Sequence, residues 1–194
     1  MRVKGRNNVP QTGPLLVIAN HQSFLDPVAI GVSVRRHLVF LARKTLFDNP
    51  FFARLIRSYN AVPIDQEGVG KEGIKTIVEQ LRQQKAVLVF PEGERSPDGK
   101  MQPLRPGVHL LIRRAESLIL PVGIAGAFDS YPRGQLAPLP APLFMPPGRG
   151  TIAVAIGKPL PSQKFADMPR EQALQKLFDE IHHMQLQAEA LRRK

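Results

Sequence analysis

The sequence predicts one α/β domain: a layered fold with a largely parallel or mixed central sheet flanked by helices and closed by a long C-terminal helix. Three observations point there. Short, wholly apolar runs such as Leu15-Leu16-Val17-Ile18-Ala19 and Ala86-Val87-Leu88-Val89-Phe90 read as strands buried on both faces. These runs alternate with segments of helical spacing, the pattern of strand–helix–strand crossovers. At 194 residues the chain is sized for a single domain, and no internal repeat divides it.

Each element has its own justification. Leu15–Ala19 is bounded by Pro14 and Asn20 and predicts the first strand. Val28 to Val34 reads as a helix, with Asp26 as its cap and Pro27 at the first helical position. His37 to Ala42 predicts a strand. Thr45 to Tyr59 carries Leu46, Phe47, Phe51, Leu55 and Ile56 near helical spacing, and Pro50 predicts a break within it. Ala61 to Ile64 is a short strand. Glu72 to Gln84 aligns Ile74, Ile77, Val78 and Leu81 on one helical face. Ala86 to Phe90 predicts a strand that stops at Pro91-Glu92-Gly93, and Pro97-Asp98-Gly99 signals a turn. Gly107 to Glu116 reads as a helix with Val108, Leu111 and Ile112 inward, and Leu118 to Gly123 and Thr151 to Ile156 as later strands. Between them, Pro132 to Pro147 holds six prolines among Leu136, Leu139, Leu143, Phe144 and Met145. It reads either as a connector packed on the sheet or as a loop that touches an acyl chain or a membrane. From Pro169, Leu174, Leu177, Phe178, Ile181, Met184, Ala188 and Leu191 keep a helical spacing over about residues 169–192.

Composition limits the chemistry. Cysteine is absent, which excludes disulfides, thiol nucleophiles and Cys-ligated metals. Lys and Arg number 27 against 16 Asp and Glu, a net charge of +11 that suits nucleic acid, an anionic membrane face or a phosphorylated substrate. No run interleaves Arg or Lys with aromatic residues, so no nucleic acid is expected. No apolar run reaches the ~18–20 residues that span a bilayer, and Met1 to Asn8 is basic and polar rather than a signal peptide.

Two clusters follow predicted strands, the ends at which open α/β sheets place their ligands. In Asn20-His21-Gln22-Ser23-Phe24-Leu25-Asp26-Pro27, His21 and Asp26 are five positions apart. On a regular helix that is about 140° away from a shared face. A turn can bring them together, and Pro27 disfavours helical geometry at Asp26. An Asp on one ring nitrogen fixes the imidazole tautomer and leaves the other nitrogen to take a proton from a hydroxyl. The structural alternative makes His21 a strand-end residue and Asp26 a helix cap. Ser23 offers a competing nucleophile, although the chain lacks a G-x-S-x-G elbow. In Phe90-Pro91-Glu92-Gly93-Glu94-Arg95-Ser96, Gly93 permits a close backbone approach, Arg95 offers a planar fork for phosphate and Glu92 an acceptor for a polyol. Taken alone, this cluster reads first as a charged surface turn.

Taken together, the two blocks resemble the glycerophospholipid acyltransferase family of the lysophosphatidate (1-acylglycerol-3-phosphate) type. That family carries N-H-x4-D and F-P-E-G-[TS]-R-S blocks in this order, about 70 residues apart, and the likeness covers about residues 14 to 157. Leu120-Pro121-Val122 matches a further block, and Asn60-Ala61-Val62-Pro63-Ile64-Asp65-Gln66 a middle one. The resemblance implies that His21 is the general base and Asp26 its orienting partner. Glu92, Gly93 and Arg95 would hold the glycerol phosphate, with Lys44 nearby, and Pro121 would shape the acyl-donor side. It implies no cofactor and no metal, an acyl-CoA or acyl-carrier-protein donor and a lysophospholipid acceptor; family members often begin with membrane-binding helices, whereas here basic patches and apolar loops predict a cytoplasmic protein held peripherally on an anionic inner membrane face. Two departures bear on the acceptor. Gln66 stands where the family has an arginine, and Glu94 where it has a small hydroxyl residue. A different lysolipid is the alternative acceptor, and a non-catalytic module binding anionic lipid or nucleic acid is the alternative class.

Overall fold

The computed structural model describes residues 1–64, 70–131 and 151–193. β1 (Arg2–Lys4) is followed by a 3-10 turn at Arg6–Asn8 and by β2 (Leu15–Ala19), every residue of which is buried. α1 (Asp26–Val34) leads to β3 (Leu38–Arg43). A 3-10 turn at Lys44–Phe47 then precedes α2 (Pro50–Ser58), and Pro50 opens this helix as its first residue. β4 (Ala61–Ile64) and α3 (Lys71–Arg82) follow. In α3, Ile74, Ile77, Val78 and Leu81 are all buried, and Glu72 near the start and Arg82 near the end complement the helix dipole. β5 (Ala86–Val89), α4 (Gly107–Arg114) and β6 (Leu118–Ala125) lead into the single turn α5 (Ala127–Ser130). Last come β7 (Ala153–Ile156), β8 (Leu160–Pro161), α6 (Gln163–Ala166) and α7 (Arg170–Arg192).

Among the described residues the strands form one mixed sheet in the order β1-β7-β6-β2-β5-β3-β4, with β8 beside β6. β2, β3, β4, β5 and β6 are parallel neighbours, whereas β7 and β8 run antiparallel to β6. The chain winds β2–α1–β3–α2–β4 outward across one face and returns β4–α3–β5–α4–β6 across the other. The two helical layers bury separate sides of the same strands. Leu16, Ile18, Val87, Val89 and Ile119 face α3, α4, α6 and α7. Leu15, Val17, Ala19, Leu88 and Leu120 face α1.

α7 packs on β6 and β7 and is not left on the surface. The contact is backbone on backbone. A Cβ on Gly123 would lie 2.1 Å from the Met184 carbonyl carbon and from the Gln185 nitrogen. Its buried stripe is Ala173, Leu177, Ile181, Met184 and Ala188.

Three sequence expectations change. Arg2–Lys4, read as a polar lead-in, is an edge strand parallel to β7, tied to α7 by the Arg2 guanidinium on the Leu191 carbonyl (3.0 Å) and by Lys4 Nζ on Gln187 Oε1 (3.1 Å). Asp26 is not the cap of α1 but its first residue, and its carboxylate points back to the preceding turn. Pro27, expected to hold Asp26 out of the helix, is instead accommodated in the first turn, where a missing N–H costs nothing. The Pro132–Pro147 segment and Gln66 lie outside the described residues. Among the described residues no helix is long and apolar enough to cross a membrane.

Candidate active site

The site lies where β2 and β5 end side by side. Beyond the last rung between Ala19 and Val122, the buried Asn20 side chain takes over the ladder. It accepts from the Ile124 N–H at 2.8 Å and donates to the Ile124 carbonyl at 3.0 Å. That side-chain rung anchors the point where the chain turns to present His21.

Residues 21 to 26 form a tight turn around one carboxylate oxygen. Asp26 Oδ2 accepts the Gln22 N–H at 2.6 Å, the Ser23 N–H at 2.7 Å and the His21 Nδ1–H at 2.7 Å. Asp26 is fully buried and the His21 side chain is 17% exposed. With Nδ1–H donated to a carboxylate, the neutral ring carries its lone pair on Nε2. The ring lies flat on Phe90, with centroids 3.9 Å apart and planes 13° apart.

The second block is fastened to the first through the His21 backbone. Glu92 Oε1 accepts the His21 N–H at 2.7 Å, and the Ser96 N–H donates to the His21 carbonyl at 2.8 Å. The other Glu92 oxygen accepts the Gln102 N–H at 2.7 Å. Glu92 is 1% exposed. Burial pushes its carboxyl up to about 7, against the pull of the two backbone N–H bonds and with a smaller push from the Asp26 charge. The sequence reading gave Glu92 to the acceptor; in the structure both of its oxygens hold backbone. Gly93 adopts φ +83, which closes the turn under the Arg105 side chain.

Arg95 sits with its guanidinium 3.6 Å from the centre of the Phe24 ring, beside the His21 turn. Lys44 follows β3, two strands across from β2 along the same edge of the sheet. Pro121 is set back from this edge. It pairs in register with Ile18, three residues before His21, and packs against Gly157 inside the sheet. Glu94, the added anion, pairs with Arg105 at 2.9 Å, so it brings its own cation. The Ser23 hydroxyl is buried and donates to the Tyr131 carbonyl at 2.7 Å, and it accepts the Leu25 N–H at 3.3 Å, which makes it a turn-former.

Sequence reasoning assigned no role to Asn20, Phe90, Gln102 or Arg105. Asn20 and Phe90 stood inside the quoted blocks. The Gln102 contribution is a main-chain N–H and leaves no trace in residue type. Among the described residues no cluster of His, Asp and Glu could hold a metal ion.

An imidazole held by a buried carboxylate stands here at the strand ends of an α/β sheet, stitched to a glycine turn that carries an arginine. The particular family follows from comparison: the model of the Acyltransferase family matches residues 1–125, and the chain belongs to that family. It is 23% identical over 183 residues to the 1-acyl-sn-glycerol-3-phosphate acyltransferase of Bacillus subtilis (strain 168), covering 94% of this chain and 84% of that one. A protein of that name from Chlamydomonas reinhardtii is 31% identical over 168 residues, 84% of this chain, which spans 47% of its length. The fold is also that of the crystal structure of the 1-acyl-sn-glycerophosphate (LPA) acyltransferase PlsC from Thermotoga maritima. The TM-score is 0.77 at 24% identity, over 100% of this chain and 72% of that one.

Proposed function

We propose that this chain is an O-acyltransferase that moves a fatty acyl group from an acyl thioester, on CoA or a carrier protein, to the free hydroxyl of 1-acyl-glycerol-3-phosphate or a related lysolipid. The observation that carries the reading is the His21–Asp26 pair at 2.7 Å, held to the Glu92 turn by the His21 main chain. His21 Nε2 takes the hydroxyl proton as the oxygen attacks the thioester carbonyl. The carbonyl becomes tetrahedral, the C–S bond breaks as it re-forms, and the imidazolium returns its proton to the departing thiolate. Asp26 holds the ring in the right tautomer and faces the positive charge while it lasts. No acyl-enzyme is required, because the acceptor supplies the hydroxyl. Arg95 and Lys44 serve the acceptor's phosphate. Glu92 acts as a positioning residue through its two backbone bonds.

We extend the reading to an anionic lipid surface as the place of work. Val28 and Val32 on α1, Phe24 in the turn before it and Phe51 on α2 (88% exposed) are exposed apolar residues, and Arg35 after α1 and Arg54 and Arg57 on α2 are exposed cations.

The test is a matrix of acyl donors against lysolipid acceptors with thiol detection, run on the native chain and on His21→Ala. Release of thiol that depends on both substrates and disappears in a folded His21→Ala protein is the expected result. Undiminished release in that variant rejects the mechanism. No release from any pair favours the non-catalytic lipid-binding alternative.

A further inference from the structure

Phe24 is an apolar side chain that the core does not explain. It lies in the turn between His21 and Asp26, is 41% exposed and belongs to none of the buried clusters among the described residues. The main chain on either side of it is nonetheless tied down. The Ser23 N–H donates to Asp26 Oδ2 at 2.7 Å, and the Leu25 N–H donates to the Ser23 hydroxyl at 3.3 Å. The ring therefore leaves the turn from a fixed point.

That ring meets Arg95. The guanidinium carbon stands over it, 3.6 Å from the centroid, well inside the ~6 Å over which a cation and an aromatic face attract. The Tyr131 ring is a second neighbour, 6.0 Å away and tilted by 42°. The Arg95 end is anchored as well, because the Ser96 N–H donates to the His21 carbonyl at 2.8 Å. Glu92 and Ser96 join the second block to the His21 main chain; Phe24 and Arg95 join the two blocks through side chains.

The chemistry of arginine gives this contact a use. The planar face of a guanidinium stacks on an aromatic ring, whereas its N–H donors lie in the plane, in the fork that suits phosphate. One cation can do both at once. A long, rotamer-rich side chain otherwise loses conformational freedom when it grips a ligand, and a stack formed beforehand removes part of that loss. Leucine in place of Phe24 would cover similar apolar area but has no negative ring face to hold the cation.

We propose that Phe24 is a positioning residue for the acceptor: its ring holds the Arg95 guanidinium, beside the His21 turn, in the place where the acceptor's phosphate meets it. The inference rests on the reading of Arg95 as a phosphate ligand. It gives Phe24 a task apart from any contact with lipid. It also makes acceptor affinity, rather than turnover, depend on an aromatic ring at this position.

The test uses the whole chain and 1-hexanoyl-glycerol-3-phosphate, a short-chain acceptor that dissolves as a monomer, so no lipid surface takes part. Its affinity is read by calorimetry, and its KM and kcat by thiol release from acyl-CoA and from acyl-carrier protein. Phe24→Leu is expected to weaken binding and raise KM about fivefold or more, with kcat within about twofold of native. Phe24→Tyr and Phe24→Trp keep the native values. Arg95→Lys keeps the charge, loses the planar fork and weakens binding; adding Phe24→Leu to it weakens binding no further. Circular dichroism checks the fold of each variant, and the exposure of Phe24 favours a native one. Native affinity in Phe24→Leu, failure of the aromatic variants, or additive losses in the double variant overturns the proposal. A loss in Phe24→Leu seen only with acceptor in vesicles also overturns it and assigns the ring to lipid contact. No binding by the native chain, or no effect of Arg95→Lys, overturns the reading of Arg95 and the proposal with it. Variant-sensitive binding without turnover of either thioester keeps the contact and overturns the acyltransferase reading instead.

Discussion

Asp26 offers a substitution that separates charge from shape. Asparagine at this position can still accept backbone N–H groups, but it places no negative charge beside the imidazolium. Asp26→Asn is expected to lower kcat by about 10²–10⁴-fold while circular dichroism stays native, read from steady-state thiol release. Ser23 gives the opposite outcome. Its hydroxyl serves the Tyr131 carbonyl, so Ser23→Ala should keep turnover within a few-fold and cost about 1 kcal/mol in urea unfolding. Glu92 makes stability depend on pH. Its carboxyl is raised from 4.5 to about 7, so the folded state binds the proton more tightly than the unfolded chain. The stabilisation is therefore complete below pH 4.5 and is lost as pH rises through 7, on the order of 3 kcal/mol across that window. Glu92→Gln should remove this slope from the pH dependence of the unfolding free energy, relative to the native chain. The His21–Asp26 relation was legible in the residues because the pair follows a strand end within an N-H-x4-D block, although Pro27 does not hold Asp26 out of the helix as expected. The inward role of Glu92 was not. A carboxylate in a run of charges looks solvated, and what buries it is main chain from His21 and Gln102, 71 and 10 residues away.

At the level of elements, the junction of α7 and β6 is the most exacting contact in the fold. Gly123→Ala puts a methyl group into the Met184–Gln185 backbone and should cost about 2–3 kcal/mol or more by chemical denaturation. Gly31→Ala, in mid-α1 with nothing within 4 Å of the added carbon, should instead stabilise by about 0.5–1 kcal/mol. Elements that bury a continuous apolar run were readable to within a residue: Leu15–Ala19 begins and ends where the apolar residues do, and the strand predicted over Ala86–Phe90 ends one residue earlier, at Val89. Elements whose stability comes from a distant partner were not. Arg2-Val3-Lys4 has no strand signature, since an edge strand needs only backbone pairing on one side and its long cations lie along α7. β8 and α6 are too short to show a period.

Over the whole molecule, the helices divide unequally between the faces of the sheet. α3, α4, α6 and α7 cover one side, and α1 and α2 lie on the other, sharing Phe40 between their clusters. The exposed apolar residues Phe24, Val28, Val32 and Phe51 belong to the α1–α2 side. With a net charge of +11, the chain should sediment with vesicles containing anionic lipid and not with neutral ones, and should release as salt rises. Val32→Glu and Phe51→Glu should each weaken that binding about tenfold, ~1.4 kcal/mol. Equal binding to neutral vesicles would reject the electrostatic part of this account.

The pairing of Arg2–Lys4 with Ala153–Ala155, and of Arg2 with Leu191, also fixes an order of assembly. Arg2–Lys4 is synthesised before the β7 edge and the α7 helix that hold it, so it pairs only once they have emerged. Such distant closure is slow. Its short length and two cations keep that waiting segment from recruiting a neighbouring chain before its own partner emerges.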